Sequence, residues 1–144
     1  MKVEVKGLDS LMAQLQRLET TSDQDIADVI NETLITTHNH AVTSIQNGPA
    51  TGKTYKKYNP RRTHRASAPG EAPMTDTGRL ASSVAYEVAT TSALVGRVGT
   101  NVGYGPMLEF GTSRMVSRPW LNPAFELANA DVEARLKRKF ENEL

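Results

Sequence analysis

At 144 residues the chain is about one domain long. It is too short for a barrel enzyme, a kinase, or a dinucleotide-binding domain with a separate substrate domain. Hydrophobic residues make up 38%, below the ~45–50% of globular chains, a figure that also counts glycine, so the core is modest and of the kind an oligomer completes. The 17 Lys and Arg against 16 Asp and Glu give a net charge of +1, and there is no cysteine, which excludes disulfides, zinc ribbons, thiol catalysis and iron–sulfur clusters.

Val3 and Val5 alternate with Lys2, Glu4 and Lys6, which predicts a short half-buried strand ended by Gly7. That alternation is unlike the apolar block of a signal peptide, and no apolar run approaches the length of a membrane span. A soluble chain made in the cytosol is expected. Leu8, Leu11, Met12, Leu15 and Leu18 predict an amphipathic helix of about three turns. A break is expected at Thr20-Thr21-Ser22, with Ser22 and Asp25 as a capping box and Asp23 in the first turn of the next helix. Ile26, Val29, Ile30, Leu34, Thr37, Ala41 and Ile45 line one face of that second helix. It is expected to run to about Gln46 and to stop at Asn47-Gly48-Pro49.

Residues 48–78 hold Pro49, Pro60, Pro69 and Pro73, and their only acids are Glu71 and Asp76. This predicts a long loop or irregular hairpin, the kind of segment that is usually functional or disordered. It has little to bury alone, so contacts with other chains are expected to order it. Two strands come next, Val84–Val88 and Ala93–Gly99, joined by a Thr-rich turn. Tyr104–Phe110 suits a short helix closed by Gly111, with Pro106 in its first turn. Met115–Leu121 reads as extended, with Pro119 favouring a sheet edge. Phe125, Ala128, Val132, Leu136 and Phe140 mark a last helix.

Several motifs resemble chemistry that the spacing does not support. Gly48-Pro49-Ala50-Thr51-Gly52-Lys53-Thr54 is one residue short of a P-loop and follows a helix instead of a strand. Asn101-Val102-Gly103-Tyr104-Gly105 echoes a potassium filter, but without pore helices it reads as a glycine-rich turn. His38 and His40 point about 200° apart on a helix and cannot share a metal. His64 lies in the basic segment, and no Gly-x-Ser-x-Gly elbow occurs. No catalytic residue and no metal ligand is assigned, and no enzyme is expected.

The strongest compositional signal is Lys53, Lys56, Lys57, Arg61, Arg62 and Arg65, with Tyr55 and Tyr58 interleaved. Without these six cations the rest of the chain holds 11 against 16 anions, a balance of −5. Such an arm suits phosphate backbones, an acidic face of a neighbouring protein, or only water. It supports an alternative reading as a small nucleic-acid-binding accessory protein using residues 53–65.

The second half carries motifs in a fixed order: Ala66-Ser67-Ala68-Pro69-Gly70-Glu71-Ala72-Pro73, Asp76-Thr77-Gly78-Arg79-Leu80 with Ser83, Val98-Gly99-Thr100-Asn101-Val102, Tyr104–Thr112, and Arg118-Pro119-Trp120-Leu121-Asn122-Pro123-Ala124. This series resembles the tail-completion, or head–tail joining, family of long-tailed bacteriophages, similar in role to the lambda Z-type proteins. The resemblance implies a virion structural protein of the neck, made in the host cytoplasm. It implies a ring of identical subunits, expected to be six-fold, that completes the tail end and joins tail to head. Expected partners are further copies of the chain, the adjacent head-closure or adaptor proteins, the tail-terminator or tail-tube proteins, and DNA in the channel without sequence preference. No cofactor is implied.

Gly70, Gly78, Tyr104, Glu109, Gly111, Arg118 and Trp120 are the residues expected to serve the fold or a subunit interface. The three glycines fall where the chain must turn at positive φ, and Asp76 or Thr77 is placed to cap the next element of the chain. Glu109 and Arg118 flank the Gly111 turn and are expected to pair, within a subunit or across the ring. Trp120 and Phe125 are expected to hold the final helix. The fold expected over residues 1–144 is a single α+β domain: an antiparallel sheet packed by a long helix and a C-terminal helix, with a projecting basic loop at about 48–78.

Overall fold

The computed structural model describes residues 8–142, so the strand expected at Val3–Val5 lies outside the described residues. The elements, in order, are α1 Leu8–Asn47, β1 Thr54–Tyr58, β2 Arg61–Arg65, α2 Arg79–Ser83, β3 Ala85–Glu87, β4 Arg97–Gly99, α3 Gly105–Phe110, α4 Asn122–Asn129 and α5 Val132–Glu141. The class is α+β, with a long N-terminal helix and a helical C-terminal segment.

The break expected at Thr20–Ser22 does not occur: α1 is one helix of 40 residues, and Ser22 lies in its interior. Thr and Ser each cost only about 0.5 kcal/mol relative to alanine in a helix interior. Without glycine or proline beside them, they weaken the helix and do not end it. The stop comes where the sequence places it. A Cβ on Gly48 would lie 2.2 Å from the Ser44 carbonyl oxygen, so the chain turns there on a residue without one.

Ala27, Leu34, Ala41 and Ile45 are buried along α1, with Val29, Thr33 and Thr37 beside them. The two buried hydroxyls are satisfied inside the helix, Thr33 donating to the Val29 carbonyl at 2.8 Å and Thr37 to that of Thr33 at 2.7 Å. Against this face lie Leu80, Ala81, Val84, Val102, Ala124 and Trp120, which form the core with Ala41 and Ile45. Trp120 is 2% exposed, and its indole N–H donates to the Gly105 carbonyl at 3.1 Å. Gly105 has to be small: a Cβ there would meet Thr100 Cγ2 at 2.4 Å.

The expected last helix is two. α4 and α5 part at Ala130–Asp131, between Asn129 and Asp131, whose short polar side chains favour turns over helix interior. α4 packs through Ala124 and Ala128, both buried, while Phe125 is 44% exposed. The expectation for Trp120 therefore stands and that for Phe125 does not. The buried stripe of α4 keeps Ala128 but starts at Ala124 instead of Phe125, on alanines small enough for close approach to α1. α5 buries no residue fully and is tied to α1 by charge, Lys139 to Asp25 and Asp28 at 3.7 and 3.4 Å and Arg135 to Glu32 at 4.0 Å.

The strands form two separate antiparallel hairpins, β1–β2 and β3–β4. In the second, Thr90 and Ala93 exchange backbone hydrogen bonds at 3.0 and 3.1 Å and close the Thr-rich turn. The Asn31 side chain bonds both the N–H and the carbonyl of Ala89, at 2.7 and 3.0 Å, and so fixes that hairpin to α1. The extended segment expected to reach Leu121 is shorter: apart from a bridge between Thr112 and Met115 it joins no sheet, and the chain bends at Trp120 and turns helical at Leu121. Its neighbours are the Leu108 carbonyl, which accepts from Arg118 N–H at 2.6 Å, and Gly70, whose N–H donates to the Ser117 carbonyl at 3.0 Å.

Candidate assembly surface

The basic segment is a regular hairpin. Thr54 pairs with Arg65, Tyr55 with His64, Lys56 with Thr63, Lys57 with Arg62 and Tyr58 with Arg61. Gly52 and Ala66 carry the ladder one step further through Gly52 N–H to the Ala66 carbonyl at 2.8 Å. The two-residue loop is Asn59-Pro60, joined by a cis peptide. Thr54 of the P-loop-like stretch is thus the first strand residue, and Gly52 and Lys53 form the strand's approach rather than a phosphate cradle before a helix.

A two-residue side-chain period sorts the hairpin's residues onto two faces. Tyr55, Lys57, Arg62 and His64 share one face, and Lys56, Tyr58, Arg61, Thr63 and Arg65 the other. The first face meets Asp76. Lys57 Nζ lies 3.3 Å from its carboxylate, His64 Nδ1 lies 3.7 Å away, and Arg62 forms a direct hydrogen-bonded ion pair with it. The hydrogen bond from Arg62, followed by that from Lys57, holds the Asp76 carboxyl below the usual carboxylate range. Asp76 is therefore not a helix cap. α2 begins after Gly78, and no side chain caps it.

Two of the six basic-segment cations are thus engaged inside the subunit, sharing one carboxylate. Lys56, Arg61 and Arg65 remain on the outer face with Tyr58, which is 76% exposed. Lys53, just before β1, is exposed as well. Arg65 reaches back to the Gly52 carbonyl at 3.4 Å. Glu71 accepts from the Thr51 hydroxyl and from Ala68 N–H, and these bonds hold its carboxyl low as well.

Glu109 and Arg118 do not meet within the subunit. The Glu109 carboxylate accepts the backbone N–H groups of Trp120, Leu121 and Asn122 at 2.8, 2.9 and 2.9 Å. α4 begins with Leu121 at its cap position and Pro123 in its first turn, so no local side chain can cap it. A carboxylate from α3 does so instead, where the helix dipole favours negative charge. The sequence signal for this is an N-terminus lacking Ser, Thr, Asp or Asn at its cap. Arg118 turns toward Ser67, donating at 3.3 Å to its Oγ.

Gly70, Gly78 and Gly111 take φ of 85, 79 and 75°, as expected. At Gly111 close contact adds to the requirement, since a Cβ would lie 2.8 Å from the Met115 carbonyl oxygen. His38 is structural: Nε2 lies 3.2 Å from the Val84 carbonyl oxygen, and its ring meets Tyr86 edge-on at 5.5 Å. Among the described residues no three His, Asp or Glu lie where they could hold a metal, and no helix is long and apolar enough to cross a membrane.

The surface beside the core is unusually apolar. Phe110 is 83% exposed, and Met107 and Phe125 are also open to solvent. Phe110, Pro119, Leu121 and Phe125 line one groove of about 480 Å³. Met107 and Met115 line another on the hairpin side, so α3 stands between two grooves. Side chains of this size left open on adjacent grooves mark an interaction surface more often than chance exposure does.

The family model described as the phage virion morphogenesis family matches residues 3–133. No curated protein and no solved structure matches the chain. The chain belongs to the phage virion morphogenesis family.

Proposed function

We propose that this member of the phage virion morphogenesis family is a structural subunit of the neck, forming a ring of identical copies that completes the tail end and joins tail to head. The observation that carries the reading is the exposed apolar surface of α3 and α4, with Phe110 at its centre. A subunit that stayed alone in water would gain by replacing these side chains with polar ones. A subunit that buries them against the next copy gains roughly 1.5–3 kcal/mol for each large side chain covered. Closed rings need a heterologous contact, in which one face meets a different face of the neighbour. The acid-tied hairpin and the apolar grooves supply two unlike faces.

In this reading the ring is six-fold and sits between a head-closure or adaptor protein and a tail-terminator or tail-tube protein. The chain then has no catalytic role. Native mass spectrometry of the purified chain, followed by electron microscopy of the assembled particle, tests it. A discrete ring and density for this chain at the neck are expected. A monomer at every concentration, absent from the neck, would overturn the reading.

The outer face of the hairpin favours a second reading, as a nucleic-acid-binding accessory protein. Lys56, Arg61 and Arg65 lie on one face with an exposed tyrosine that could stack on a base. Duplex and single-stranded DNA affinities, measured by fluorescence anisotropy against salt, separate the two. A monomer with steeply salt-dependent binding supports the second.

A further inference from the structure

Between the foot of the hairpin and α3 lies the second groove, also about 480 Å³. Met74, Met107 and Met115 give it apolar walls, and His64, Tyr104 and Arg118 are polar groups in its lining. Arg118 is partly buried. Its Nε is sealed from solvent without a hydrogen-bond partner, and one Nη makes the long bond to buried Ser67. Among the described residues no carboxylate lies within ion-pairing distance of this guanidinium. The acids on neighbouring segments are engaged elsewhere: Asp76 by the hairpin, Glu109 by α4 and Glu71 by Thr51 and Ala68.

A guanidinium drawn partly out of water without a counter-charge is costly, and a carboxylate brought to it would offset that cost. The groove tells what completes it. Arg118 lines the groove, and its second Nη, neither bonded nor sealed, offers a charged donor suited to a carboxylate. The thioether walls are polarizable and adaptable, so they accept an apolar stem of varied shape. Inorganic phosphate would satisfy the charge but leave the methionines uncovered.

We propose that the Arg118 groove is a receptor site for a carboxylate borne on or beside an apolar side chain, an Asp or Glu with an aliphatic neighbour, presented by an adjacent protein chain. That the carboxylate arrives on another subunit rests on the assembly reading above. The existence of the site does not.

The test uses the purified full chain labelled with 15N and with 13C at the methionine methyls, and follows the Arg118 Nε–Hε resonance. The probe is 4-methylpentanoate, a carboxylate on a leucine-like stem. 4-Methylpentanamide and inorganic phosphate are the comparison probes. A saturable shift with the carboxylate is expected, at least about tenfold weaker with the amide or with phosphate. Arg118→Lys, which keeps the charge and loses the fork, is expected to weaken saturation, read from the Met115 methyl signal. A resonance that does not move, that moves equally with the amide, or that prefers phosphate would overturn the site. A chain that stays monomeric while the carboxylate saturates Arg118 would end the assembly reading and leave the site standing. A ring with a flat titration would do the reverse.

Discussion

Around Trp120 the chain packs alanine, valine and leucine side chains against one indole, whose N–H is itself bonded. The hairpin Thr54–Arg65 has no fully buried residue, and its ion pairs to the body converge on one carboxylate, that of Asp76. The first region depends on area removed from water, which salt and mild acid scarcely change. The second depends on charges near the surface, which salt screens and acid removes. One chain thus carries a core that is indifferent to solution conditions and an appendage that responds to them.

The sharpest way to break the comparison is Trp120→Ala. Truncating a buried aromatic costs about 3–5 kcal/mol, and a large fall in thermal midpoint is expected by calorimetry. The hairpin's own amide protection should survive in whatever fraction remains folded. An unchanged midpoint would mean that the core lies elsewhere.

Glu109→Ala comes next. It removes the shared acceptor of three N–H groups at the start of α4, and a loss of about 2 kcal/mol is expected by denaturant titration. Glu109→Gln, which keeps one acceptor oxygen, should lose less. An equal loss in both would point to charge, not geometry, as the main contribution.

Phe110→Ser should leave stability within about 0.5 kcal/mol of the parent, because the side chain is already in water. Its effect is expected in assembly, as a lower oligomer fraction by sedimentation velocity. A stability loss as large as that of Trp120→Ala would make Phe110 a core residue.

The smallest effect is local and falls on Asp76. Its carboxyl is held low in the folded chain, so the unfolded state binds the proton more readily. The contribution of Asp76 is therefore full above its ordinary range and is lost as pH falls through the lowered folded-state value. Acidification into that range is expected to raise hydrogen exchange at Lys57 and Arg62 while the fluorescence of Trp120 stays constant. Asp76→Asn should reproduce this at neutral pH, and high salt should reproduce part of it. A hairpin as protected in Asp76→Asn as in the parent would show that backbone pairing alone holds it.

Much of the core is legible in the sequence. The apolar spacing on α1, its end at Asn47, the burial of Trp120 and the three positive-φ glycines all come from local rules. Each depends on residues close together in the chain. The features that escape such reading depend on residues far apart. The Asp76 hub gathers Lys57, Arg62 and His64, which share a hairpin face only once the register is known. Glu109 suits Arg118 on paper because both flank one turn, yet the better acceptor geometry lies at the N-terminus of α4. The Thr20–Ser22 break fails for a different reason: three modest propensities do not add up to a stop signal.

One consequence of the Glu109 clamp is mechanical. Phe110, the most exposed aromatic among the described residues, follows Glu109 directly in α3, and Glu109 grips the start of α4, whose other end leads into α5. A tug on α3 from a bound neighbour is therefore carried into the start of α4 through this carboxylate, beside the Leu108–Arg118 and Gly105–Trp120 bonds. To lever α3 away, three hydrogen bonds to one side chain have to be broken. Because the three share one side chain, this short helix links the exposed surface at Phe110 to the core at Trp120.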